Sequence, residues 1–539
     1  MMKKVIKKLL AALLAVAMVC AMAIPAFAYE SWETEEDLNK NHDYIAFQIF
    51  KGVISKDNPT LSGVDWGQHI PDDEDFLAEL KRDLTIGGEF ENATTPQDVL
   101  AVISKWHDSD NDSIAFARFV CHYLYSKGDP KSSIVGGGGA IKIPEPGYYL
   151  IVDNIDFSNG DYYHAYNSFL LVNDTHQGEY NVIINHKVVK PTVEKKVYDN
   201  DNNDISSAGG WGSSADHAIN EKFQFQLIAK LPASKDNGRA YDYYDKYTVC
   251  FKDTLSEGIT YDGPDSVVIK SNNNTHDTTI DPSKYTIDTK NLENQNYFEV
   301  NIHDVKACAK DAGFDLNDGA TITFTYTAHL NEKAYVNIGS GSTENKNSVQ
   351  LKYSNNPRPG DYWGTTPESA VCVYTYQLNN TKHQDSENGP VLEGAGFRLY
   401  SDKACTPEQE VKLYKKDNFY YPIKDATDKA QDAVEMFSDE HGQFNVKGLD
   451  AGTYYLRETK TPDGYSACPD TTIVISATHD VNHVDLSGNL STTIINKKDG
   501  GITLPSTGGI GTTIFYVVGG GLMVAAIVLL VTKKRMENK

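Results

Sequence analysis

The residues best placed to do chemistry in this sequence are lysines, acids and asparagines that strand alternation turns toward a protein core. A strand that buries Val193 and Val197 also turns Lys195 inward, with Lys196 as the alternative lysine. By the same alternation, Asp253 and Asn347 fall on the apolar faces of their own strands. Because a buried ammonium ion is costly unless it is neutralised or paired, these groups are expected to share one dry core.

A second trio of the same residue types lies nearer the carboxyl end of the chain. Lys382 is in phase with Tyr376 and Leu378, and Glu458 and Asn496 are in phase with apolar residues of their own strands. The sequence therefore predicts two sites of similar composition.

Such a trio supports condensation of an amine with a carboxamide. Burial lowers the pKa of a lysine and raises that of a carboxyl group. The neutral amine would attack the asparagine amide carbon while Asp253 or Glu458, protonated, polarises the carbonyl. Ammonia would leave, and Lys195–Asn347 and Lys382–Asn496 isopeptide bonds would remain. Because the fold itself holds the groups together, no outside enzyme or cofactor is needed.

The elements that position these groups are predicted to be short strands. Runs rich in Val, Ile, Thr, Tyr and Phe, such as 223–227, 321–326 and 371–376, are separated by Asn, Asp and Gly clusters, which is typical of sandwiches. Helical periodicity is confined to insertions, and its clearest examples are Glu74–Arg82 and Pro96–Ser126 in the first third of the chain. We therefore predict a mainly β fold of tandem immunoglobulin-like sandwiches, the first with helical insertions.

Length and charge narrow the function classes. The 539 residues are enough for roughly three or four domains. The formal net charge of −24 at pH 7 argues against sequence-independent nucleic-acid binding, which needs clustered cations. The aromatic content of 11% is too high for a disordered polyanion.

Two pairs of similar segments within the sequence indicate where domains end. Residues 146–153 are echoed at 451–458, and residues 182–187 at 493–498. The predicted units are an N-terminal domain at 29–187, a middle domain at 191–371 and a C-terminal domain at 372–499.

The first domain lacks a complete trio. Asp153 and Asn185 occupy the echoing positions, but only Lys40 lies in the opening segment where a reactive lysine would be needed. Lys51 is in phase with apolar residues, yet its strand corresponds to 397–400 of the last domain. No internal bond is predicted there.

The two ends of the chain carry sorting signals. Residues 1–28 combine lysines, an apolar run and a small-x-small site, which indicates an export signal. A linker and LPSTG motif at 500–509, an apolar stop-transfer segment at 510–532 and a basic tail at 533–539 together resemble the sorting signal of Gram-positive wall proteins. The resemblance implies that sortase cleaves between Thr507 and Gly508 of the motif. Its residues are Leu504, Pro505, Ser506, Thr507 and Gly508.

The last domain resembles a further known type. Residues 392–400, 455–459 and 462–465 look like parts of a Cna-B-type domain, and the chain as a whole resembles the major (backbone) pilins of Gram-positive bacteria. The resemblance implies Cna-A-type and Cna-B-type sandwiches with internal Lys–Asn bonds, the promoting acid being Glu in Cna-B domains and often Asp in the middle domain.

The same resemblance implies an acceptor lysine after the first domain. The family motif resembles V-x-V-Y-P-K, and residues 182–187 keep its apolar residues and its lysine but have Asn-His in place of Tyr-Pro. Lys187 is therefore the first candidate, and Lys190 is the alternative. Sortase would join Thr507 of one subunit to this lysine of the next.

The expected protein is thus a structural shaft subunit, not an enzyme, exported to a wall-anchored pilus after transient membrane retention. Its implied partners are identical subunits, pilus-specific and housekeeping sortases, tip and base minor pilins, and peptidoglycan, with an unidentified host or surface ligand. The alternative is a monomeric wall-anchored adhesin. A wall-anchored hydrolase is disfavoured because the sequence shows neither paired carboxylates nor a nucleophile with its base.

Cysteine and histidine spacing adds one expectation. Export permits disulfides, and Cys405 with Cys468 is the favoured pair because both fall in the last domain. No C-x-x-C, H-E-x-x-H or clustered histidines occur, so no metal site is predicted.

Overall fold

A computed structural model describes most of the chain. The residues described are 42–54, 61–70, 72–106, 111–127, 134–137, 140–143, 145–155, 167–172, 180–183, 191–201, 210–235, 239–341, 344–355, 357, 363–426, 432–499 and 510–537. The export signal, the LPSTG motif, Lys40, Asn185, Lys187 and Lys190 lie outside these residues.

The N-terminal unit is built on one antiparallel sheet. Its strands are β1 (His42–Ile54), β2 (Leu61–Trp66), β3 (Ile134–Gly137), β4 (Ala140–Ile143), β5 (Gly147–Ile155), β6 (Asn167–Val172) and β7 (Tyr180–Ile183). The sheet order is β2-β1-β5-β6, with β3 also paired to β1, while β4 pairs with β7. The first echo of the sequence, 146–153, thus forms a strand beside β1.

Helices form in both segments where helical periodicity predicted them, but the second segment is two helices. They are α1 (Asp73–Arg82), α2 (Pro96–Ile103) and α3 (Asn111–Ser126). Thr95 and Asp98 form a reciprocal capping box, and Pro96 occupies the first turn of α2. The Ser104 backbone N–H donates to Leu100 O and ends α2. The periodicity at 96–126 spans this break because both helices face the same core.

The middle unit is a sandwich of two sheets. Its strands are β8 (Thr192–Tyr198), β9 (Trp211–Gly212), β10 (Ser214–Asp216), β11 (Lys222–Leu231), β12 (Val249–Leu255), β13 (Ile259–Ser271), β14 (Thr278–Thr279), β15 (Tyr285–Asp288), β16 (Tyr297–Ile302), β17 (Ala320–Leu330), β18 (Asn345–Ser354), β19 (Trp363–Thr365) and β20 (Ser369–Tyr374). One sheet has the order β14-β13-β17-β11-β8-β9. The other has the order β10-β20-β18-β12-β16-β15, with β19 beside β18. Two short helices, α4 (Leu292–Gln295) and α5 (Val305–Asp311), connect strands.

The alternation seen in the sequence is the reason these sheets face each other. Along β11, residues 223, 225, 227, 229 and 231 are buried and the residues between them are more exposed. β17 pairs antiparallel with β11 and buries Phe324 opposite Leu227. Each strand therefore gives one apolar face to the space between the sheets.

The C-terminal unit is a smaller sandwich. Its strands are β21 (Tyr376–Gln384), β22 (Gly396–Tyr400), β23 (Leu413–Lys416), β24 (Phe419–Pro422), β25 (Met436–Phe437), β26 (Asn445–Leu449), β27 (Gly452–Lys460), β28 (Tyr465–Ser466), β29 (Thr471–His479), β30 (Val484–Gly488) and β31 (Ser491–Lys498). The two sheets have the orders β23-β24-β26-β21-β31-β28 and β25-β22-β27-β29-β30.

The predicted domain boundary at 372 falls inside a strand of the middle sheet. β20 pairs antiparallel with β18, placing Val373 opposite Asn345, and it also pairs with β10. The C-terminal sheet begins only at Tyr376, with β21. The sequence run 371–376 is therefore two strands belonging to two sandwiches, which local alternation could not separate.

The tail that follows the last sandwich is helical. Helix α6 (Ile510–Glu537) covers the predicted stop-transfer segment and most of the basic tail. Among the residues that the structure describes, no helix is both long and apolar enough to cross a membrane. The membrane span at 510–532 therefore remains a prediction from the sequence.

Backbone hydrogen bonds join the middle and C-terminal units. The Ile219 N–H donates to Gly448 O at 2.9 Å, and Asn220 Nδ2 donates to Pro422 O at 2.9 Å. Gly448 has a φ of +88°, and a Cβ at this position would lie 2.5 Å from the Ile219 side chain. The junction thus depends on a residue without a side chain.

Replacement of Gly448 by alanine should destabilise this junction. Left-handed backbone costs a residue with a Cβ about 1–2 kcal/mol, and the contact with Ile219 should add about 1–3 kcal/mol of overpacking. Gly394→Ala is the control, since Gly394 has a φ of +84° but a Cβ added there would meet no atom within 4 Å. Urea unfolding measures both losses, and equal losses would contradict the role of the contact.

Candidate functional site

The structure selects one of the two candidate lysines of the middle domain. Lys195 lies on β8 opposite Leu227 of β11, and its side chain is fully buried. Lys196 is 34% exposed and pairs with Glu194 at 3.3 Å. Alternation along β8 thus turns Lys195 inward, as predicted, and Lys196 outward.

Asp253 and Asn347 approach Lys195 from the opposite sheet. They lie on the neighbouring strands β12 and β18, where Leu255 pairs with Asn347 and Asp253 pairs with Val349. Both side chains are buried. The register places the two polar groups on one face of the sheet, diagonally adjacent.

A tyrosine that sequence reasoning missed connects the three predicted residues. The Tyr326 hydroxyl accepts hydrogen bonds from Lys195 Nζ at 3.3 Å and from Asn347 Nδ2 at 2.6 Å. It donates to Asp253 Oδ1 at 3.1 Å. Tyr326 follows Ile322 and Phe324 in strict alternation, so the sequence indicates that its side chain points inward. The sequence does not indicate which residues this side chain contacts.

Burial dominates the electrostatics of this site. It lowers the pKa of Lys195 to about 8, against the opposing charge of Asp253. It also raises the pKa of Asp253 above its usual range, although Lys195 and Tyr326 act in the other direction. Lys195 Nζ contacts Asp253 Oδ2 and lies 5.0 Å from the centre of the Phe225 ring. The site therefore favours neutral forms of both groups more than water does.

The Asn347 carbonyl oxygen has a special position in this network. Oδ1 of Asn347 is buried and has no hydrogen-bond partner, while Nδ2 of the same amide is bound to Tyr326. A buried carbonyl without a partner costs about 1–3 kcal/mol. This oxygen is accordingly the acceptor in the site that remains available for a proton donor.

The second predicted trio also comes together. Lys382 on β21 and Asn496 on β31 belong to neighbouring parallel strands, in which Lys382 pairs with Ile494. Lys382 Nζ contacts Asn496 Oδ1 directly, and both residues are fully buried. Burial lowers the pKa of Lys382.

Glu458 reaches this pair from the opposite sheet. Its Oε1 accepts a hydrogen bond from Asn496 Nδ2 at 2.7 Å and lies 3.6 Å from Lys382 Nζ. Its Oε2 accepts from the Cys468 backbone N–H at 2.9 Å and from Thr461 Oγ1 at 3.3 Å. The carboxyl group is thus fixed at both oxygens beside the amine and the amide.

The predicted disulfide between Cys405 and Cys468 is not formed. Both cysteines are free, and Cys405 Sγ lies 3.9 Å from Asp470 Oδ2. The Cys468 thiol instead lies beside Lys382 and Glu458, and burial raises its pKa to about 11. The disulfide is predicted because both cysteines fall in the last domain. Their side chains lie in different parts of that domain.

The two sites differ in how they connect the sandwich. The Lys195 side chain crosses from one sheet to the strands of the other, whereas Lys382 and Asn496 lie on adjacent strands of one sheet. In both sites the acid lies on the sheet opposite the lysine. One arrangement ties two sheets together, and the other ties the first and last strands of a domain.

The first domain shows no corresponding site among its described residues. Lys51 is exposed and pairs with Asp65 at 3.2 Å. It lies on β1, which pairs with β5 in the first domain in the way that β22 pairs with β27 in the last domain. This matches the strand correspondence expected for Lys51. Asn185 lies outside the described residues, and the absence of a bond in this domain stays a prediction.

Two family profiles match the chain. Residues 378–489 match the SpaA prealbumin-like fold domain, and residues 496–538 match the LPXTG cell wall anchor motif. The first match contains Lys382 and Glu458, and the second begins at Asn496 and contains the LPSTG sequence. No curated protein sequence matches the chain.

Solved structures of major pilins align with the chain. The full-length major pilin SpaD of Corynebacterium diphtheriae aligns at 17% identity and a TM-score of 0.44, over 86% of this chain and 94% of that one. The T6 backbone pilin of Streptococcus pyogenes aligns at 15% identity and 0.44, over 87% and 100%. A 35 kDa C-terminal fragment of the major pilin GBS80 of Streptococcus agalactiae aligns at 20% identity and 0.39, over 57% and 99%.

The anchor motif defines the class of protein. The chain is an exported protein that is anchored to the cell wall, as the sequence predicted. Its last sandwich is a SpaA-type prealbumin-like domain, and the pairing of this domain with the anchor supports the resemblance to sortase-assembled major pilins.

Removal of the Tyr326 hydroxyl should destabilise the middle domain. Tyr326→Phe leaves Asn347 Nδ2 without its acceptor and Asp253 Oδ1 without its donor, and we expect a loss of about 1–3 kcal/mol. The matched control is Tyr261→Phe, because the Tyr261 hydroxyl is buried without a partner and its ring lies 5.4 Å from that of Tyr326. Calorimetry should show a lower unfolding temperature for Tyr326→Phe alone, and an equal effect of both variants would argue against the network.

Proposed function

We propose that the chain is the shaft subunit of a covalent pilus and is stabilised by two internal isopeptide bonds. The observation that carries this proposal is the burial of a lysine, an acid and an asparagine together in each of two successive sandwiches. These sandwiches lie in sequence between the candidate acceptor lysines and the LPSTG motif. The wall anchor and the SpaA-type domain support the same function.

In the C-terminal domain the Lys382 amine is in contact with the carbonyl oxygen of the Asn496 amide. The Lys382 amine, once neutral, attacks Cγ of Asn496, so that an Nζ–Cγ bond forms and the Cγ–Nδ2 bond breaks. Glu458 Oε1, 2.7 Å from Asn496 Nδ2 and 3.6 Å from Lys382 Nζ, is placed to take the proton from the amine and deliver it to the leaving nitrogen. Ammonia is the product besides the new amide.

In the middle domain the proton donor is Asp253. Its raised pKa keeps the carboxyl protonated over a wider pH range, and the partnerless Oδ1 of Asn347 is the acceptor that a proton would stabilise during attack. Tyr326 connects Asp253 to Nδ2 of the Asn347 amide and is suited to pass the proton that this nitrogen needs to leave as ammonia. The Nζ–Cγ bond forms as the Cγ–Nδ2 bond breaks. Lys195 supplies the amine, and the products are again an isopeptide bond and ammonia.

The bonds would give the shaft mechanical strength. Constraint of a loop of about 150 residues adds roughly 5 kcal/mol in the chain-entropy treatment of disulfides. Tension applied between Lys187 or Lys190 and Thr507 would pass through the two crosslinked domains. A bond that joins the first and last strands, as Lys382 and Asn496 would, leaves little chain free to extend.

Polymerisation follows from the position of the two sortase groups. Sortase would transfer the Thr507 carbonyl to the amine of Lys187 or Lys190 in the next subunit. This tail-to-body contact is heterologous and does not close on itself, so repetition gives a filament.

Intact mass of the exported chain, residues 29–507, tests the internal bonds. We expect a deficit of two ammonia molecules in the wild-type chain and of one in Asp253→Ala or Glu458→Ala, because each acid serves one site. Lys195→Ala should also show a mass deficit of only one ammonia molecule. Lys196→Ala is the control and should keep both. A wild-type mass without any deficit would refute the crosslinks.

Immunoblots of wall extracts test polymerisation. In a Gram-positive host with a pilus sortase, the wild-type chain should give a high-mass ladder that survives boiling in detergent. The acceptor assignment predicts loss of the ladder in Lys187→Ala or, alternatively, in Lys190→Ala, while Lys196→Ala keeps it. A single wild-type band would instead favour the monomeric wall-anchored adhesin.

A further inference from the structure

We propose that the junction between the middle and C-terminal domains binds one divalent cation of the calcium type through the carboxylates of Asp201, Asp216 and Asp450. One oxygen of each carboxylate lies within 4.8 Å of the others. Asp216 is on β10 and Asp201 follows β8, whereas Asp450 lies between β26 and β27 of the next domain. The site therefore takes ligands from both sandwiches.

Three buried polar atoms beside this cluster have no hydrogen-bond partner outside it. They are Asp216 Oδ2, the Tyr376 hydroxyl and His217 Nδ1, and all three residues are almost completely buried. Buried polar groups in native proteins are nearly always satisfied, by protein, water or an ion. Two of these atoms are oxygens and one is a nitrogen, and together with the carboxylates they point to a cation as the ligand.

Each of these atoms is linked to the acidic cluster. The Tyr376 hydroxyl lies beside the Asp216 carboxylate. His217 groups with Glu221 and Asp450 within the same 4.8 Å limit. These three polar atoms and the carboxylates thus form one continuous polar region.

A histidine from the C-terminal domain fixes the direction of Asp216. His479 Nε2 lies 3.3 Å from Asp216 Oδ1, and its Nδ1 lies 2.8 Å from Ser214 Oγ. With both ring nitrogens engaged, His479 serves as a positioning residue. It holds Oδ1 so that Oδ2 of the same carboxylate is left for a cation.

The charges of the cluster are costly without a cation. One oxygen of each of the three carboxylates lies within 4.8 Å of the others, and like charges at this distance repel one another strongly in a partly buried site. Lys424 pairs with Glu221 at 3.5 Å and lies at the edge of this group. A bound cation would remove the repulsion among the carboxylates.

The donor set selects the class of cation. Three carboxylates with a nearby tyrosine hydroxyl offer hard oxygen ligands, which suit Ca²⁺ and, less well, Mg²⁺. A zinc site would prefer nitrogen or sulfur ligands. The imidazole of His479 is already bound to Asp216 and Ser214, and His217 Nδ1 is the one remaining ring nitrogen beside the carboxylates. Because oxygen donors outnumber this nitrogen, calcium fits better than zinc.

Calcium titration of the exported chain, residues 29–507, tests the site. After EDTA treatment and dialysis, isothermal titration with CaCl₂ should show one site with a Kd on the order of 0.1–1 mM, the range of extracellular calcium modules. Calorimetric scans should show a higher unfolding temperature with calcium than with EDTA. Asp201→Asn should weaken binding at least about tenfold, as expected for loss of a carboxylate ligand.

Asp201 is the first variant because it is exposed, so its replacement should leave the fold intact. Asp450→Asn is the second variant, and Asp463→Asn, an exposed acid outside the cluster, is the matched control that should bind as the wild type does. Absence of calcium binding by the wild-type chain would overturn the proposal. Unchanged binding by both cluster variants, or zinc binding that depends on His479 but not on Asp201, would also overturn it.

Discussion

The burial of a lysine amine inside a β-sandwich is the constraint on which this structure depends. A charged amine in a dry core must be neutralised or paired. Lys195 meets a carboxyl group and, through Tyr326, a carboxamide, whereas Lys382 meets a carboxyl group and a carboxamide directly. The same burial that makes the amine costly also lowers the pKa of Lys195 and raises that of Asp253. Burial of the lysine thus destabilises the charged amine and at the same time makes the amine more reactive. Formation of an amide would remove the charge altogether and with it the cost of burying a charged amine.

The two sandwiches meet this constraint with different connections. In the middle domain the polar groups cross the space between sheets and are organised by Tyr326. In the C-terminal domain the lysine and the asparagine are neighbours in one sheet, and the acid is held by local backbone and side-chain donors. Common chemistry therefore does not require a common topology. What both sites share is an acid on the sheet opposite the lysine.

The junction between these domains is a second region of concentrated polarity. Backbone hydrogen bonds through Gly448, an imidazole held between Ser214 and Asp216, and carboxylates from both domains meet there. In the proposed shaft, force would pass through each junction, so the geometry between sandwiches would matter as much as the strength within them. The proposed crosslinks would act inside domains, and the proposed cation site would act between them.

Strand alternation determined much of this protein from the sequence alone. It is a local property with a period of two residues, and it correctly turned Lys195, Asp253, Asn347 and Lys382 into cores before any partner was known. Pairing between strands is not local. Only the tertiary structure decided that Tyr326 joins the first trio, that Cys468 lies beside Lys382 rather than bonded to Cys405, and that β20 belongs to the middle sandwich. The cluster around Asp216 was likewise invisible in the sequence, because its acids come from distant segments that meet only when two domains pack.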